Sequence, residues 1–311
     1  MVESLSPWAA PLVAVGVGAL ATLAAAADAG LGARAAGRPV TVAELATPLR
    51  EALRLLVEQR RTTIAPDVVV WRLGGAGVLA VATLAAVVIP LGRYAAADLG
   101  IGVVWWTALM ALLWAVVWLA GWGGNSAYAL VGGYRFTAQA LAYEMPLAIS
   151  VITVALAAGT LRVGGIVAGQ QHLWYGVWMP VAFATYLGCV LAAAFWGPFG
   201  APLAIDLAGG VAAELAGVDR LLFVAGRYVV LVVGAAFAVP LFLGGGLGPL
   251  LPAWLWSLVK TMVVLLVLLA ARWRLPLVRM DRFEELSWVV LLPLTIVQAF
   301  AVAVAVLVAN R

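Results

Sequence analysis

The chain has 311 residues, of which 66% are apolar and 10% are charged. With a strongly positive mean hydropathy, this composition excludes an ordinary soluble domain and predicts a membrane protein with several spans. The chain contains one cysteine, Cys189, and one histidine, His172. Iron–sulfur clusters need several cysteines and haem needs axial ligands, so we predict no metal and no electron carrier bound by this chain alone.

Apolar runs close to the roughly 20 residues that a bilayer-crossing helix needs recur along the chain. They lie near residues 8–27, 69–91, 101–121, 145–165, 173–196, 220–244, 252–271 and 287–309. We predict an all-α polytopic protein, a single integral membrane domain over residues 1–311 with about eight spans. The first run is expected to stay in the mature protein, because Glu3 and the lack of an early Lys or Arg are untypical of a signal peptide. In the third span, Trp105, Trp106, Trp114 and Trp118 are expected to be mostly lipid-facing or interfacial anchors.

The arginines are distributed unevenly between the connections. Those after spans two, four and six hold only Arg93 and Arg162. Those after spans one, three, five and seven hold Arg34, Arg38, Arg50, Arg54, Arg60, Arg61, Arg135, Arg272, Arg274, Arg279 and Arg282. By the positive-inside rule the second set is cytoplasmic and both termini lie outside, in a plasma or inner membrane. This topology accounts for the formal charge of +4, so no nucleic-acid partner is predicted.

Residues 121–147 form the longest polar-containing insert between two apolar spans. Polar residues recur there at helical spacing, which predicts a stripe opposite an apolar face. The stripe is Tyr128, Arg135, Gln139 and Tyr143, and the apolar face is Leu130, Val131, Ala138 and Leu141. Pro146 suits the first turn of a new helix. We therefore expect a helix lying on protein or at the membrane surface, followed by a span with Glu144 at its polar edge.

Residues 30–68 contain a predicted amphipathic helix on the cytoplasmic side. Its apolar face is Leu45, Leu49, Leu53 and Leu56, and its charged faces carry Glu44, Glu51, Arg54 and Glu58. The residues alone leave two interpretations open. The helix either rests on lipid headgroups or flanks a binding site.

The 121–147 segment also carries residues at fixed spacing: Gly121, Trp122, Asn125, Ser126, Tyr128, Gly132, Arg135, Ala138, Gln139 and the run Tyr143–Leu147. This pattern resembles the signature of the subunit 1 (H-type subunit) family of respiratory complex I. In that family the run lies beside the quinone chamber, where the membrane arm meets the peripheral arm. The resemblance covers nearly the whole chain, including Pro48, Leu49, Leu53 and Arg54 in the amphipathic helix and Arg272, Pro276, Arg279, Asp281 and Trp288 near the end.

The connection between spans five and six departs from the family pattern. Relatives carry an acidic run of the form Pro-Phe-Asp-Leu-Pro-Glu-x-Glu, and here the first acidic positions are Gly200, Leu203 and Ile205. Asp206 stands close to a lost acid and Glu214 matches a later one. Fewer neighbouring carboxylates predict weaker sharing of protons among them.

Further along, where relatives often carry a glutamate before a tyrosine, this chain has Arg227 followed by Tyr228. These departures leave two possibilities open. Coupling runs through Glu144, Asp206 and Glu214, or quinone is no longer reduced in the usual way.

The resemblance implies a set of functional residues. Those implied to carry charge or protons are Glu144, Asp206, Glu214 and Lys260, the last near the centre of span seven, where an ammonium is rare without a partner. Those implied to line a quinone pocket or to dock the peripheral arm are Arg38, Arg54, Tyr134, Arg135, Tyr143, Phe199, Arg272, Arg279 and Asp281. Quinone is the implied substrate. Other membrane-arm and peripheral-arm subunits are the implied partners, and iron–sulfur clusters are expected only in those partner chains.

The implied function is that of a membrane-arm subunit in a redox-driven proton- or ion-translocating complex, not catalytic alone. The alternative is the homologous membrane subunit of a membrane-bound hydrogenase or formate hydrogenlyase complex, which the lost acidic residues keep open. A solute transporter would predict paired repeats with interrupted helices, and the sequence shows no such symmetry. A purely structural anchor would keep its charges without a role. The electron donor and the pumped ion stay open.

Overall fold

The computed structural model describes residues 3–5 and 10–309. The helices are α1 (Ala10–Ala35), α2 (Val42–Leu45), α3 (Thr47–Val57), α4 (Val68–Ala86), α5 (Gly102–Gly123), α6 (Ala127–Ala158), α7 (Val163–Ala168), α8 (Tyr175–Trp178), α9 (Pro180–Ala193), α10 (Gly217–Phe242), α11 (Ala253–Arg274), α12 (Met280–Leu286) and α13 (Leu292–Ala309). A π-helical segment, Ser287–Leu291, joins α12 to α13, and three 3-10 turns lie between 201 and 212. The short strands β1 (Glu3–Ser4) and β2 (Tyr94–Ala95) pair in parallel. The predicted all-α class is confirmed.

Seven helical stretches in the described residues are long and apolar enough to cross a membrane: α1, α4, α5, α6, α10, α11 and the continuous run of α12 to α13. The predicted span at 173–196 contains only α9, whose 14 residues extend about 21 Å at about 1.5 Å per residue. Proline disfavours the α conformation of the residue before it. Met179 accordingly has φ −121° and ψ 60°, so the helix begins at Pro180.

The connections after α1, α5, α9 and α11 lie together on one face of the bundle, called here the basic face. Asn125 Nδ2 donates to the Ile64 carbonyl at 3.0 Å, and Arg60 pairs with Asp219 at 3.6 Å. These contacts bring the connection after α5 and the start of α10 beside the chain that follows α1. The arginine-rich connections predicted to share one side of the membrane therefore do share a face.

The connections after α4, α6 and α10 lie on the opposite face. Val103 N donates to the Leu161 carbonyl at 3.1 Å, and the amide of Gly92 donates to Ser257 Oγ at 3.0 Å. Strand β1 pairs with β2 on this face. The short helix α9 therefore connects the opposite face to the basic face.

The prediction that Pro146 begins a new helix is wrong, because α6 continues through it from Ala127 to Ala158. A proline inside a helix leaves the carbonyl four residues earlier without its usual donor. Here that carbonyl belongs to Ala142, and the hydroxyl of Ser287 donates to it. A hydroxyl from a neighbouring helix is one way in which a membrane helix tolerates proline, and it explains why α6 is one element.

The prediction that residues 121–147 form a separate helix lying on protein or at the membrane surface is wrong as well, because residues from Ala127 onward belong to the long helix α6. The predicted polar stripe turns partly inward. Gln139 and Tyr143 are buried, whereas Val131 and Leu141 are exposed. Gln139 Nε2 donates to the carbonyls of Ala192 at 2.8 Å and of Phe199 at 3.1 Å. In a membrane the apolar side of a helix can face lipid while its polar side chains bond within the protein. The first half of α6 follows that rule.

Small residues allow α4, α5 and α6 to approach closely. A Cβ on Gly74 would overlap the backbone of Ala120, and one on Gly121 would lie 2.6 Å from the Ala129 carbonyl oxygen. Glycine at such crossings is typical of helix packing in membranes. Trp106 of α5 is fully buried and stacks on Phe237 at 4.4 Å, so the expectation of a lipid-facing tryptophan is wrong for this residue.

Helix α3 confirms the predicted amphipathic segment, but its leucine face points away from the protein. Leu49, Leu53 and Leu56 are exposed, and Leu55 is buried. Exposed leucines beside arginines are typical of a helix that lies in the membrane interface. The geometry therefore favours the lipid-headgroup interpretation of residues 30–68.

Candidate functional site

An open chamber of about 860 Å³ lies on the basic face. Its walls come from α6, the 195–206 connection, α10 and the segment that joins α11 to α12. Six charged residues line it: Arg135, Arg227, Arg272, Arg279, Asp206 and Asp281. A volume in the range of about 300–1,000 Å³ is typical of a small-molecule site.

Arg135 and Asp206 close one side of the chamber with a bidentate ion pair. Arg135 Nη2 lies 2.7 Å from Asp206 Oδ2, and Nη1 lies 3.2 Å from Oδ1. The hydrogen bonds from Arg135 lower the pKa of the Asp206 carboxyl below its usual value. Gly132 permits this pairing, because a Cβ there would overlap the backbone of Val211 and displace the 201–212 connection from α6. Both members of the pair were predicted as site residues.

A second ion pair joins α1 to the end of α11. Asp28 is buried and accepts hydrogen bonds from Arg272 at 2.6 Å, from Trp273 Nε1 at 2.8 Å and from the Tyr228 hydroxyl at 3.2 Å. Arg272 was predicted and Asp28 was not. A lone aspartate in an apolar span is the signal that would have found it, since such residues nearly always have a partner.

Arg227 reaches the chamber from α10. Its Nη2 donates to the Phe195 carbonyl at 2.8 Å, and its Nε lies 3.5 Å from the Ala194 carbonyl. The guanidinium lies 4.9 Å from the ring centre of Phe195 and 5.2 Å from that of Trp196. Of the six charged lining residues, Arg227 is the one that the predicted site left out.

Arg279 and Asp281 form an exposed pair at the rim, with 3.2 Å between Nη2 and Oδ2. Phe199 lies just outside the lining, 4.4 Å from the ring of Phe283. The chamber thus brings together Arg135, Asp206, Arg272, Arg279 and Asp281 from the predicted set, with Phe199 beside them.

The replaced acidic positions also face this chamber. Gly200, Leu203 and Ile205 all line it, and Ile205 is 95% exposed. An apolar surface therefore stands where the family pattern has carboxylates. The acidic side chains that remain in the lining are Asp206 and Asp281.

Glu144 and Tyr143 lie deeper, in the middle of α6 and outside the chamber lining. One carboxylate oxygen of Glu144 and the hydroxyl of Tyr143 are buried without a hydrogen-bond partner among the described residues. An unpaired carboxylate at membrane depth is costly, and such residues usually mark ion or proton paths. Glu144 does not touch the chamber, and its role in proton or ion movement stays a prediction.

Other predicted site residues lie apart from the chamber. Glu214 accepts a hydrogen bond from Ser126 Oγ at 2.8 Å, at the start of α6. Tyr134 is exposed and packs edge-on against Trp118 at 6.3 Å. The structure does not bring these side chains to a common point with Asp206.

Two further predicted residues lie in the 36–57 segment that follows α1, Arg38 in the loop before α2 and Arg54 on α3. Arg38 pairs with Glu44, and Arg54 pairs with Glu51 at 2.6 Å and with Glu58 at 3.3 Å. The Arg54 hydrogen bonds lower the pKa of Glu51. Exposed pairs of this kind contribute little to stability because solvent screens them, so they leave the arginines available to a partner surface.

Lys260 lies near the opposite face rather than at the chamber. Its ammonium donates to the carbonyls of Leu243 at 2.6 Å, Gly245 at 3.0 Å and Leu247 at 2.7 Å. The ring of Trp174 covers it at 4.2 Å. The predicted partner of Lys260 therefore exists, but it is backbone of the α10–α11 connection and not a carboxylate.

A second cleft, of about 640 Å³, lies between α1, α10 and α11 toward the opposite face. Its lining is apolar apart from hydroxyls such as those of Tyr94 and Ser257, and no described charged side chain reaches it. Of these two cavities, the chamber on the basic face is the one lined by charged side chains.

The fold and the chamber define a class: an all-α integral membrane protein with an arginine-lined site on one face. A family model described as NADH dehydrogenase matches residues 9–303. The chain belongs to this family, the subunit 1 or H-type subunit of complex I, and the resemblance found in its motifs is confirmed.

Named relatives agree with this assignment. The chain is 34% identical over 263 residues to the NADH-quinone oxidoreductase H-type subunit 2 of Geobacter sulfurreducens, covering 81% of this chain and 80% of the relative. It is 33% identical over 264 residues to the H-type subunit 2 of Syntrophobacter fumaroxidans, with the same coverage of each chain. It is 33% identical over 219 residues to the H-type subunit of Carboxydothermus hydrogenoformans, covering 68% of this chain and 63% of that relative.

Proposed function

We propose that this chain is the membrane-arm subunit of a complex-I-like assembly and that its chamber receives the head of a quinone-type ligand. The observation that carries the proposal is the chamber itself, which joins charged residues from α6, α10 and α11 to an apolar wall. Relatives named as NADH-quinone oxidoreductase subunits support it. Iron–sulfur clusters belong to partner chains, because this chain has a single cysteine.

The basic face is the cytoplasmic one and docks the peripheral arm, with the termini on the other side of a plasma or inner membrane. The clustering of arginine-rich connections on one face supports this orientation. The open mouth of the chamber, the exposed Arg38 before α2 and the exposed arginines of α3 lie where a partner surface would cover them. The complex, and not this chain alone, is the oxidoreductase.

Glu144 is the residue that links the chamber to proton or ion movement in this proposal. Its buried carboxylate oxygen without a partner supports the role, because a proton or an ion would offset the cost of that position. Asp206 and Glu214 belong to the same path at the basic face, each held by one partner, Arg135 and Ser126.

A quinone carrying a photoreactive group tests the proposal on the purified native assembly. Labelling is expected in the peptides that contain residues 195–206, Arg227 and Arg272, and an excess of unmodified quinone should abolish it. Labelling confined to other subunits, or spread evenly over the lipid-facing helices, would contradict the proposal.

A second candidate is the membrane subunit of a hydrogenase-type assembly. The observation in its favour is the apolar wall of Gly200, Leu203 and Ile205, where carboxylates would share protons with a reduced quinone. Identification of the co-purifying chains decides between the two. A nickel–iron-bearing chain in place of a nucleotide-binding chain would favour the hydrogenase.

A further inference from the structure

The arginines of the chamber differ in how their charges are balanced. Three of the four have an aspartate partner, and Arg227 has none within 4.0 Å among the described residues. The pairs are Arg135 with Asp206 at 2.7 Å, Arg272 with Asp28 at 2.6 Å, and Arg279 with Asp281 at 3.2 Å. One positive charge of the chamber is therefore uncompensated.

This charge is held rigidly. Two carbonyls and two aromatic rings fix the Arg227 guanidinium, and its Nη1 makes no hydrogen bond with the described part of the chain. A preorganised guanidinium loses little conformational entropy when it binds an anion. Arg227 thus presents a ready donor to whatever occupies the chamber.

The positive charge of Arg272, which lies near Arg227, raises the electrostatic cost of leaving Arg227 without a counter-ion. Arg272 also lies against Trp196, with 5.1 Å to the ring centre, so two guanidinium groups share one indole. Asp28 neutralises only one of them. Like charges at such spacing destabilise each other unless a counter-ion is present, and the chamber provides room for one.

The depth of Arg227 favours a small ligand over a side chain from a docked subunit. Arg227 stands ten residues into α10, which corresponds to about 15 Å along the helix from Gly217. A planar molecule would meet the apolar wall at Leu203 and Ile205 with one side and Arg227 with its polar edge.

From these observations we propose that the chamber selects a ring compound that carries a negative charge, and that Arg227 is the residue that recognises it. The ligand class is a planar quinone-like ring with an ionised hydroxyl or a carboxylate on its edge. This inference rests on the proposed function, since it specifies the charge of the ligand for the same chamber.

Two naphthoquinones test the charge preference on the purified assembly in lipid nanodiscs. One probe is 1,4-naphthoquinone, which is neutral, and the other is 2-hydroxy-1,4-naphthoquinone, which is ionised at neutral pH. Arg227→Gln should weaken binding of the ionised probe by about tenfold or more, as expected for a lost charge-assisted hydrogen bond. Binding of the neutral probe should change by less than about twofold. Arg34→Gln, an exposed arginine outside the chamber, is the matched control and should change neither.

A third probe gives a readout that needs no variant. The methyl ether of the second probe, 2-methoxy-1,4-naphthoquinone, cannot ionise and should lose the preference over the first probe, and Arg227→Lys should keep part of the preference for the ionised probe. This arm tests the inference even if Arg227→Gln fails to assemble.

The outcomes distinguish failure of the charge selection from failure of the proposed quinone-site function. Equal binding of both probes in the wild type, unchanged by Arg227→Gln, would overturn the charge selection and leave the chamber as a quinone site. If neither probe binds, both the inference and the proposed function are overturned. Loss of partner subunits from Arg227→Gln, without any charge preference in the wild type, would overturn the inference and assign Arg227 to docking.

Discussion

Asp28 is the residue on which the charge balance of the chamber depends most. It accepts three hydrogen bonds across α1, α10 and α11 while remaining almost fully buried. Removal of one partner from a buried ion pair leaves the other charge without compensation. The neighbouring Arg227, already without a carboxylate, would add to that cost.

We expect Asp28→Asn to destabilise the protein by about 2 kcal/mol, below the roughly 3–5 kcal/mol of a fully buried pair, because Arg272 is 41% exposed. Thermal unfolding in detergent measures it. Glu285→Gln is the control, since Glu285 and Arg282 form an exposed pair and should contribute less than about 1 kcal/mol. Equal effects of the two changes would contradict the role assigned to Asp28.

A substitution at Lys260 distinguishes a structural role for this residue from the catalytic role that the family resemblance implied. Lys260→Met removes the donor of three backbone carbonyls, each of which costs about 1–3 kcal/mol when left buried and unpaired. We therefore expect a clear loss of thermal stability and a disordered α10–α11 connection, measured by unfolding and by proteolysis. Unchanged stability with lost turnover would support the catalytic role instead.

The ion pair between Arg135 and Asp206 gives a pH prediction. Because the pKa of Asp206 is lowered in the folded protein, the contribution of the pair is present above the unfolded pKa of about 3.9. It is lost as the pH falls through the lower, folded value. The protection of amides 201–212 against hydrogen exchange, corrected for the intrinsic pH dependence of exchange, should stay constant from neutral pH down to about 4 and fall only below it. Asp206→Asn should lower this protection at every pH, and a fall in protection near pH 6 in the unmodified protein would contradict the role of the ion pair.

At the scale of elements, α6 is the helix that organises the site. It carries Arg135 to the chamber, Gln139 to the end of α9 and a carboxylate oxygen of Glu144 to a buried position. Its continuity past Pro146 depends on the hydroxyl of Ser287, which donates to the Ala142 carbonyl.

A double-mutant cycle tests this continuity. Ser287→Ala alone should cost about 1–2 kcal/mol, because a buried carbonyl loses its donor. In a Pro146→Ala background the amide of residue 146 can donate to Ala142, so the same Ser287→Ala change should cost less than about 0.5 kcal/mol. Equal costs in both backgrounds, measured by thermal unfolding, would show that the hydroxyl does not replace the missing amide.

For the molecule as a whole, the sequence predicted those features that depend on local composition along the chain. Apolar runs predicted most of the spans, although the run at 173–196 contains only the short α9. The arginine asymmetry predicted which connections share a face, and both predictions depend on local composition. Contacts between distant positions were not predictable in this way. Asp28 and Arg272 stand 244 residues apart, and the hydroxyl that supports Pro146 belongs to a helix 145 residues away from Ala142. The chamber, built from such contacts, could be predicted only in part.

Photo-crosslinking from the two faces of the native assembly shows which face of this chain contacts the peripheral arm. A photoreactive amino acid would replace Leu277, which is exposed at the chamber rim, and in a separate variant His172, which is exposed on the opposite face. We expect position 277 to cross-link to a cluster-bearing peripheral chain and position 172 to give no such cross-link. Cross-links to such a chain from position 172 alone, or from neither position in an intact assembly, would contradict it.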